Sequence, residues 1–358
     1  MRLTAESFTV ADTPEAVSEL FYRKGWTDGL PIIPPTPERV ERMLTGWQAD
    51  PSHSIGLVPP SFAEATLEKL AINAVMAGCL PAHLPAIVAA VEAMLDPQFN
   101  LNGIQCTTSN TAPLVFFNGP IRRELEINCS SNAFGPGCRA NAVIGRAVRL
   151  ILLSLGGAAP GDVDKATLGQ PGKYCFCFGE NEEENPWEPY HVENGYAAGV
   201  STATVVGACG VIEVRDSDSR GGAGILKTMA HSITSAGFVA ANNSADGGQV
   251  LIVFAPEHAR TLRASGFSKS DVKAWLWEEA RLRLIDFPDE TAANIAAWQR
   301  AQGLPADGVV RVSKAPADLV VLVAGGEGTK SAFISTWGGM TRATTRAISS
   351  TAASLYRG

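Results

Sequence analysis

The chain has 358 residues, of which 46% are hydrophobic and 18% charged, enough apolar material for a large core and too long for one small globule. A formal charge of -7 at pH 7 leaves no basic stripe to neutralise a phosphate backbone, so composition argues against nucleic-acid binding and for a small molecule as partner. No run of about eighteen apolar residues occurs, and the opening MRLTAESFTVADTPEAV lacks a basic segment followed by an apolar one, so no membrane span or signal peptide is expected and the chain reads as cytoplasmic.

Thr13, Pro14 and Glu15 supply an N-cap, a first-turn proline and a first-turn acid for a helix running to about Lys24. GWTDGLPIIPPTPERV follows as a stiff connector, because Pro31, Pro34 and Pro35 forbid helix until Thr36-Pro37-Glu38 starts one. Ser61 and Glu64 have capping-box spacing ahead of a helix over ATLEKLAINAVMAG that ends at Gly78. A second, almost wholly apolar helix restarts at Pro85, and a helix apolar all round is buried, so Asn73 in its neighbour needs hydrogen-bond partners.

Beyond residue 100 the pattern alternates. PLVFFN (113–118), VLIVFA (250–255) and DLVVLVA (318–324) each read as a strand ending in a Gly or Pro turn that opens a helical segment, and a long helix spans about Ala140 to Leu155. VSTATVVGACGVIEV (200–214) reads as a strand, and SKSDVKAWLWEEARLRL (268–284) as an amphipathic helix capped by Ser268 and Asp271. The expectation is an α/β fold of several βα units in two or three lobes sharing a packed core: a helical region with the Pro-rich connector (1–100), an α/β lobe with a Cys/Glu/His loop (101–220) and an α/β lobe with a Gly-rich loop (221–358).

Seven cysteines, an odd number without a secretory signal, fit reduced thiols better than a disulfide framework. The densest run of reactive groups is GKYCFCFGENEEENPWEPYH (172–191). If 173–178 is a strand, Cys175 and Cys177 share one face, with Tyr174, Phe176 and Phe178 on the other, and their Cα atoms lie roughly 6.6 Å apart at ~3.3 Å per residue. That is wide for a disulfide, so a lone thiolate, a shared metal or plain packing under a helix fits better. Glu180, Glu182, Glu188 and His191 follow in a loop that Pro186-Trp187 and Pro189-Tyr190 stiffen, and they are candidates for acid–base or metal chemistry.

Two further clusters could bind substrate. Gly135-Pro136-Gly137 precedes a helix on which Asn141, Gly145 and Arg149 line one side with Arg146 on its flank, an arrangement that suits either an anion site or a salt bridge to another lobe. AGGEGTKSAF (324–333) misses the phosphate-loop spacing, leaving a generic anion cradle of Gly325, Gly326, Gly328, Lys330 and Ser331. His258 in PEHAR sits near a strand end, whereas His53, His83 and His231 read as structural or surface groups.

GWTDGLPIIPPTPERV, AINAVMAGCLPAHLPAIVAAVEAML, ANAVIGRAVRL, ATLGQPGKYCFCFGENEEENPWEPYH and FAPEHAR together resemble a bacterial family associated with the UGSC proteins, named for a selenocysteine-Gly-Ser-Cys motif. The resemblance covers about residues 20–350 and implies thiol or selenol redox chemistry. No Cys-Gly-Ser-Cys stands in the sequence, and the nearest contexts are Gly78-Cys79 and Ala208-Cys209-Gly210.

The leading expectation is an enzyme acting on a small anionic organic molecule. Cys177, Cys175 or Cys79 would supply a thiolate, His191, Glu182 or Glu188 a base, and Asn141, Arg146, Gly326, Lys330 and Ser331 would hold the substrate. The alternatives are a divalent-metal hydrolase or hydratase using Glu182, Glu188 and His191, and a non-catalytic subunit of a larger complex. No motif names a cofactor, and a homo-oligomer is expected.

Overall fold

The structure, a computed structural model, describes residues 3–235, 248–305 and 307–349. Their fold is α/β, with a curled, mixed seven-stranded sheet between helical layers. Helices α1 (Pro14–Arg23) and α2 (Pro37–Met43) flank the Pro-rich connector, which is fixed where Ile33 N–H donates to the Met76 carbonyl at 3.1 Å. A small hairpin of β1 (Ser54–Val58) and β2 (Ala63–Thr66) precedes α3 (Leu67–Ala77) and α4 (Leu84–Met94). Ser61 and Glu64 therefore do not cap α3: the hairpin takes Glu64, and Thr66 accepts from Lys69 N–H as the actual N-cap. Gly78 ends α3 with φ 89°, the left-handed conformation that glycine adopts without strain.

The helix α5 (Leu101–Cys106) leads into β3 (Ala112–Asn118), the short α6 (Ile121–Glu124) and the long α7 (Arg139–Ser154). Then come β4 (Cys177–Gly179), α8 (Tyr190–Glu193), the fourteen-residue β5 (Thr202–Arg215) and α9 (Gly222–Ser235). The last third holds β6 (Val250–Phe254), α10 (Pro256–Ala264), α11 (Lys269–Glu279), β7 (Arg281–Arg283), α12 (Asp289–Ala301), β8 (Val309–Arg311), β9 (Leu319–Val323), β10 (Lys330–Thr336) and β11 (Thr344–Ala347). The strand order is β4-β3-β5-β10-β6-β9, with β11 beside the first half of β5. Strands β3, β4 and β10 run opposite to β5, β6 and β9.

One expected βα unit is overturned. The segment after β9 is not helical: its glycine-rich turn feeds straight into β10, which inserts between β5 and β6. The expected strand over 173–178 is also shorter than its pattern, because Pro171–Lys173 forms a 3-10 turn and pairing with β3 begins only at Cys177.

Side-chain alternation explains the curl. Leu114, Phe116, Phe178, Val206, Leu251, Leu322 and Ile334 face inward and pack on one another, closing the sheet around an apolar interior. The alternate residues Val115, Phe117, Cys177, Ala203 and Val205 face α3, α4 and α7. Ile252, Phe254, Val321 and Phe333 face α9, α10 and α11 in the same way. Asn181 N–H donates to the Val323 carbonyl at 2.7 Å and Gly325 N–H to the Cys129 carbonyl at 2.9 Å, so loops beyond the two edge strands meet. Asn73 is satisfied as its burial demands, donating to the Lys69 carbonyl and accepting from Ser154, each at 2.9 Å.

Candidate active site

The two thiols of the 172–191 segment both lie under α7, although only Cys177 belongs to β4. A Cβ on Gly145 would stand 2.5 Å from Cys175 Sγ and 3.0 Å from the Cys177 Cβ, so the helix approaches this closely only because residue 145 has no side chain. Cys175 donates its S–H to the Asn141 carbonyl at 3.2 Å and Cys79 to the Val143 carbonyl at 3.3 Å, both on the same helix. Burial pushes the Cys175 thiol up to about 11 and the Cys177 and Cys79 thiols well above their usual range. The surroundings thus favour neutral, packed thiols rather than thiolate nucleophiles.

The acidic part of the segment turns inward instead of lying in solvent. Glu180 is fully buried and accepts from Asn118 Nδ2 at 2.6 Å, Tyr190 N–H at 2.9 Å and Asn185 Nδ2 at 2.9 Å. Burial raises its carboxyl, against the opposing charge of Lys269 and these donors. Glu182 accepts from Asn118 Nδ2 at 2.9 Å and Gly119 N–H at 2.7 Å, pairs with Arg122 at 2.9 Å and stands 3.8 Å from His191 Nδ1. Glu183 takes both arms of Arg122 at 2.9 Å and is held at about 2 by that hydrogen-bonded guanidinium, against burial. Arg122 thus serves two carboxylates and the Glu180 carbonyl, a network that ties β3, β4 and α6 together. Removing one member would strand a buried charge at a cost of about 3–5 kcal/mol. His191 Nδ1, Asn118 Oδ1, Arg122 Nε and Thr202 Oγ1 remain buried there without hydrogen-bond partners.

The segment's second half forms one wall of a cavity of about 710 Å3. Trp187 and Tyr190 come from the segment and Lys269 and Lys273 from the start of α11, with Glu193, Asn194 and Gln249 among the other polar groups of the lining. The aromatic wall is fixed: Trp187 Nε1 donates to the Phe267 carbonyl at 3.0 Å, and its ring packs edge-on against Phe254. Ser268 and Asp271 form the capping box that positions α11, so its first turn presents Lys269 and, four residues on, Lys273 on one side. Both lysines are buried, at 6% and 8% exposure, and both contact the Glu193 carboxylate. Lys269 Nζ stands 2.7 Å from Glu193 Oε2 as an ion pair and also donates to the Glu188 carbonyl at 3.1 Å. Burial lowers the Lys273 ammonium, with Glu193 opposing. Burial also opposes ionisation of Glu193, but the two lysines outweigh it and lower its carboxyl.

No family model matches the chain, and no curated protein matches it. The UGSC resemblance rests on its motifs alone, and the reading of this site rests on geometry.

The residues expected to hold substrate have other partners. Arg146 donates to Asp28 at 2.8 and 2.9 Å and to the Pro31 carbonyl at 2.8 Å, clamping the Pro-rich connector onto α7. Asn141 bonds the Asn128 backbone N–H at 2.8 Å and its carbonyl at 3.0 Å, which fixes the loop before α7. Gly326 lies against Ser131, with Oγ 2.0 Å from where a Cβ would sit, and Lys330 is an exposed residue at the start of β10. Ser331 is buried and bonded to His258 Nδ1 at 2.7 Å, and His258 Nε2 reaches the Asp216 carbonyl at 3.0 Å, so this pair pins α10 to the sheet. The alternative metal set does not assemble either. Glu188 is exposed, away from Glu182 and His191, and among the described residues no group of three or more His, Cys, Asp or Glu side chains is placed to hold a metal ion. Sequence reasoning missed Lys269, Lys273 and Glu193, since lysines four apart on an amphipathic helix ordinarily mark its solvent face. The nearest signal is the apolar WLW that follows them, which calls for packing partners along α11.

Proposed function

We propose that the chain is a cytoplasmic enzyme acting on a small anionic organic molecule bound in the cavity between the 186–194 segment and α11. The observation that carries this is charge: two buried lysines share one carboxylate, Glu193, inside an aromatic-walled cavity. Exposed Arg263 and Glu188 also line this cavity, and the buried Glu180 carboxyl lies within electrostatic reach of Lys269. Two ammonium groups beside aromatic rings suit an organic anion with an apolar body, whose carboxylate meets the lysines while its body meets the rings. Glu193, touching both ammonium groups, is the acid–base group the site offers.

Calorimetric titration of acetate, pyruvate, malonate and citrate tests the reading, with the wild type beside a Lys269→Met, Lys273→Met double variant. At least one carboxylate binds the wild type, and the double variant binds it at least about tenfold more weakly, which corresponds to about 1.4 kcal/mol. A Lys269→Arg, Lys273→Arg double variant, which keeps both charges, checks that loss does not reflect misfolding. Equal affinity in the wild type and the methionine variant overturns the proposal.

A further inference from the structure

Resting on that reading, we propose that Lys273 forms a covalent imine with the carbonyl carbon of an oxoacid whose carboxylate is held by Lys269. The geometry is specific to this pair. Both ammonium groups converge on one carboxylate from positions one helical turn apart, so a ligand carboxylate at Lys269 places an adjacent carbonyl within reach of Lys273. Glu193 stands between the two ammonium groups, 2.7 Å from Lys269 through Oε2 and in contact with Lys273 through Oε1, so a carboxylate lies directly beside the amine that must lose a proton. Burial, and after it the second cation, work against a charged Lys273 while Glu193 and Glu188 favour it, and the net shift of the ammonium is downward.

The step balances within the site. Glu193 takes a proton from the Lys273 ammonium, and the freed nitrogen lone pair attacks the carbonyl carbon. A C–N bond forms and the C–O π pair moves to oxygen. Two protons leave nitrogen in all, both pass through Glu193 to that oxygen, and it departs as water, leaving a protonated imine. No oxidant or reductant is required.

Sodium cyanoborohydride reduces such an imine to a stable secondary amine, so trapping with pyruvate or glyoxylate followed by peptide mass mapping tests the step. The expected result is a peptide containing Lys273 that gains the mass of one oxoacid less one oxygen. Lys273→Arg abolishes this adduct while pyruvate binding by calorimetry persists, because arginine keeps the charge and the Glu193 pair; Lys269→Arg retains the adduct. Pyruvate binding without an adduct, or an adduct that survives Lys273→Arg, overturns the imine step and leaves the anion cavity standing. Failure of both oxoacids to bind overturns the imine step and counts against the cavity reading with it.

Discussion

His83 gives the fold a built-in sensitivity to acid. Its ring lies at 3% exposure in the turn between α3 and α4, where Nδ1 accepts the Leu80 backbone N–H at 3.1 Å. An acceptor nitrogen carries no proton, so this bond requires the neutral imidazole. Burial, reinforced by the charge of Arg139, lowers the ring from 6.5 to about 4. The sign follows from which state takes the proton first. Between these values the unfolded chain is protonated and the native ring is not, so stability is unaffected above about 6.5, declines as pH falls, and has lost the full amount below about 4. At about 1.4 kcal/mol per pH unit the loss comes to ~3 kcal/mol. His83→Asn supplies an oxygen near the Nδ1 position to accept from Leu80 but cannot titrate. Urea unfolding of both proteins between about pH 7 and about pH 4 isolates the effect, since carboxylates common to both cancel in the difference. The wild type should lose ~3 kcal/mol relative to the variant over that interval. A difference that stays constant with pH would refute the reasoning.

Two further outcomes concern the thiols. Gly145→Ala gains about 1 kcal/mol of helix propensity but drives its Cβ into Cys175 and Cys177, an overpacking worth about 1–3 kcal/mol, so urea unfolding should show net destabilisation that Cys175→Ala partly relieves in the same chain. A double-mutant cycle with no coupling would contradict the contact. In native protein, Ellman's reagent should modify exposed Cys106 first and leave Cys177 and Cys79 unmodified until denaturant is added. Modification of Cys177 at the rate of Cys106 would show that its burial does not hold in solution.

Local signals carried far in this sequence. Caps, proline positions and apolar runs located α1, α2, α7, α11, β3, β5, β6 and β9 because those features act within a few residues, while Cys175 and Cys177 share the underside of α7 although the strand expected to align them starts only at Cys177. What escaped was set by distant partners. The 61–66 stretch reads as a helix start, but pairing with β1 makes it a strand. The glycine-rich turn after β9 reads as a helix start too, until β10 is seen to need both β5 and β6. The acidic run looks solvated because its compensating charge, Arg122, lies about sixty residues away in sequence, as the separation of 61 for its bond to Glu183 shows. Within and just beyond the 172–191 segment, Trp187, Tyr190 and Glu193 approach Lys269 and Lys273, contacts that no spacing rule encodes.

The position of β10 constrains how the protein can be made. It is the tenth strand in chain order, yet it forms the middle of the sheet, bonded to β5 on one side and β6 on the other. A ribosome releasing the chain from its N-terminus has already delivered β3, β4 and β5 as one set and β6 and β9 as another before residue 330 emerges. Until then Val211 to Arg215 on one set and Leu251 to Val253 on the other present unpaired edges, the kind that recruit foreign strands. Pairing of residues 330–336 is therefore the step that joins the two sets, and it can follow only after every strand from β3 to β9 has been made.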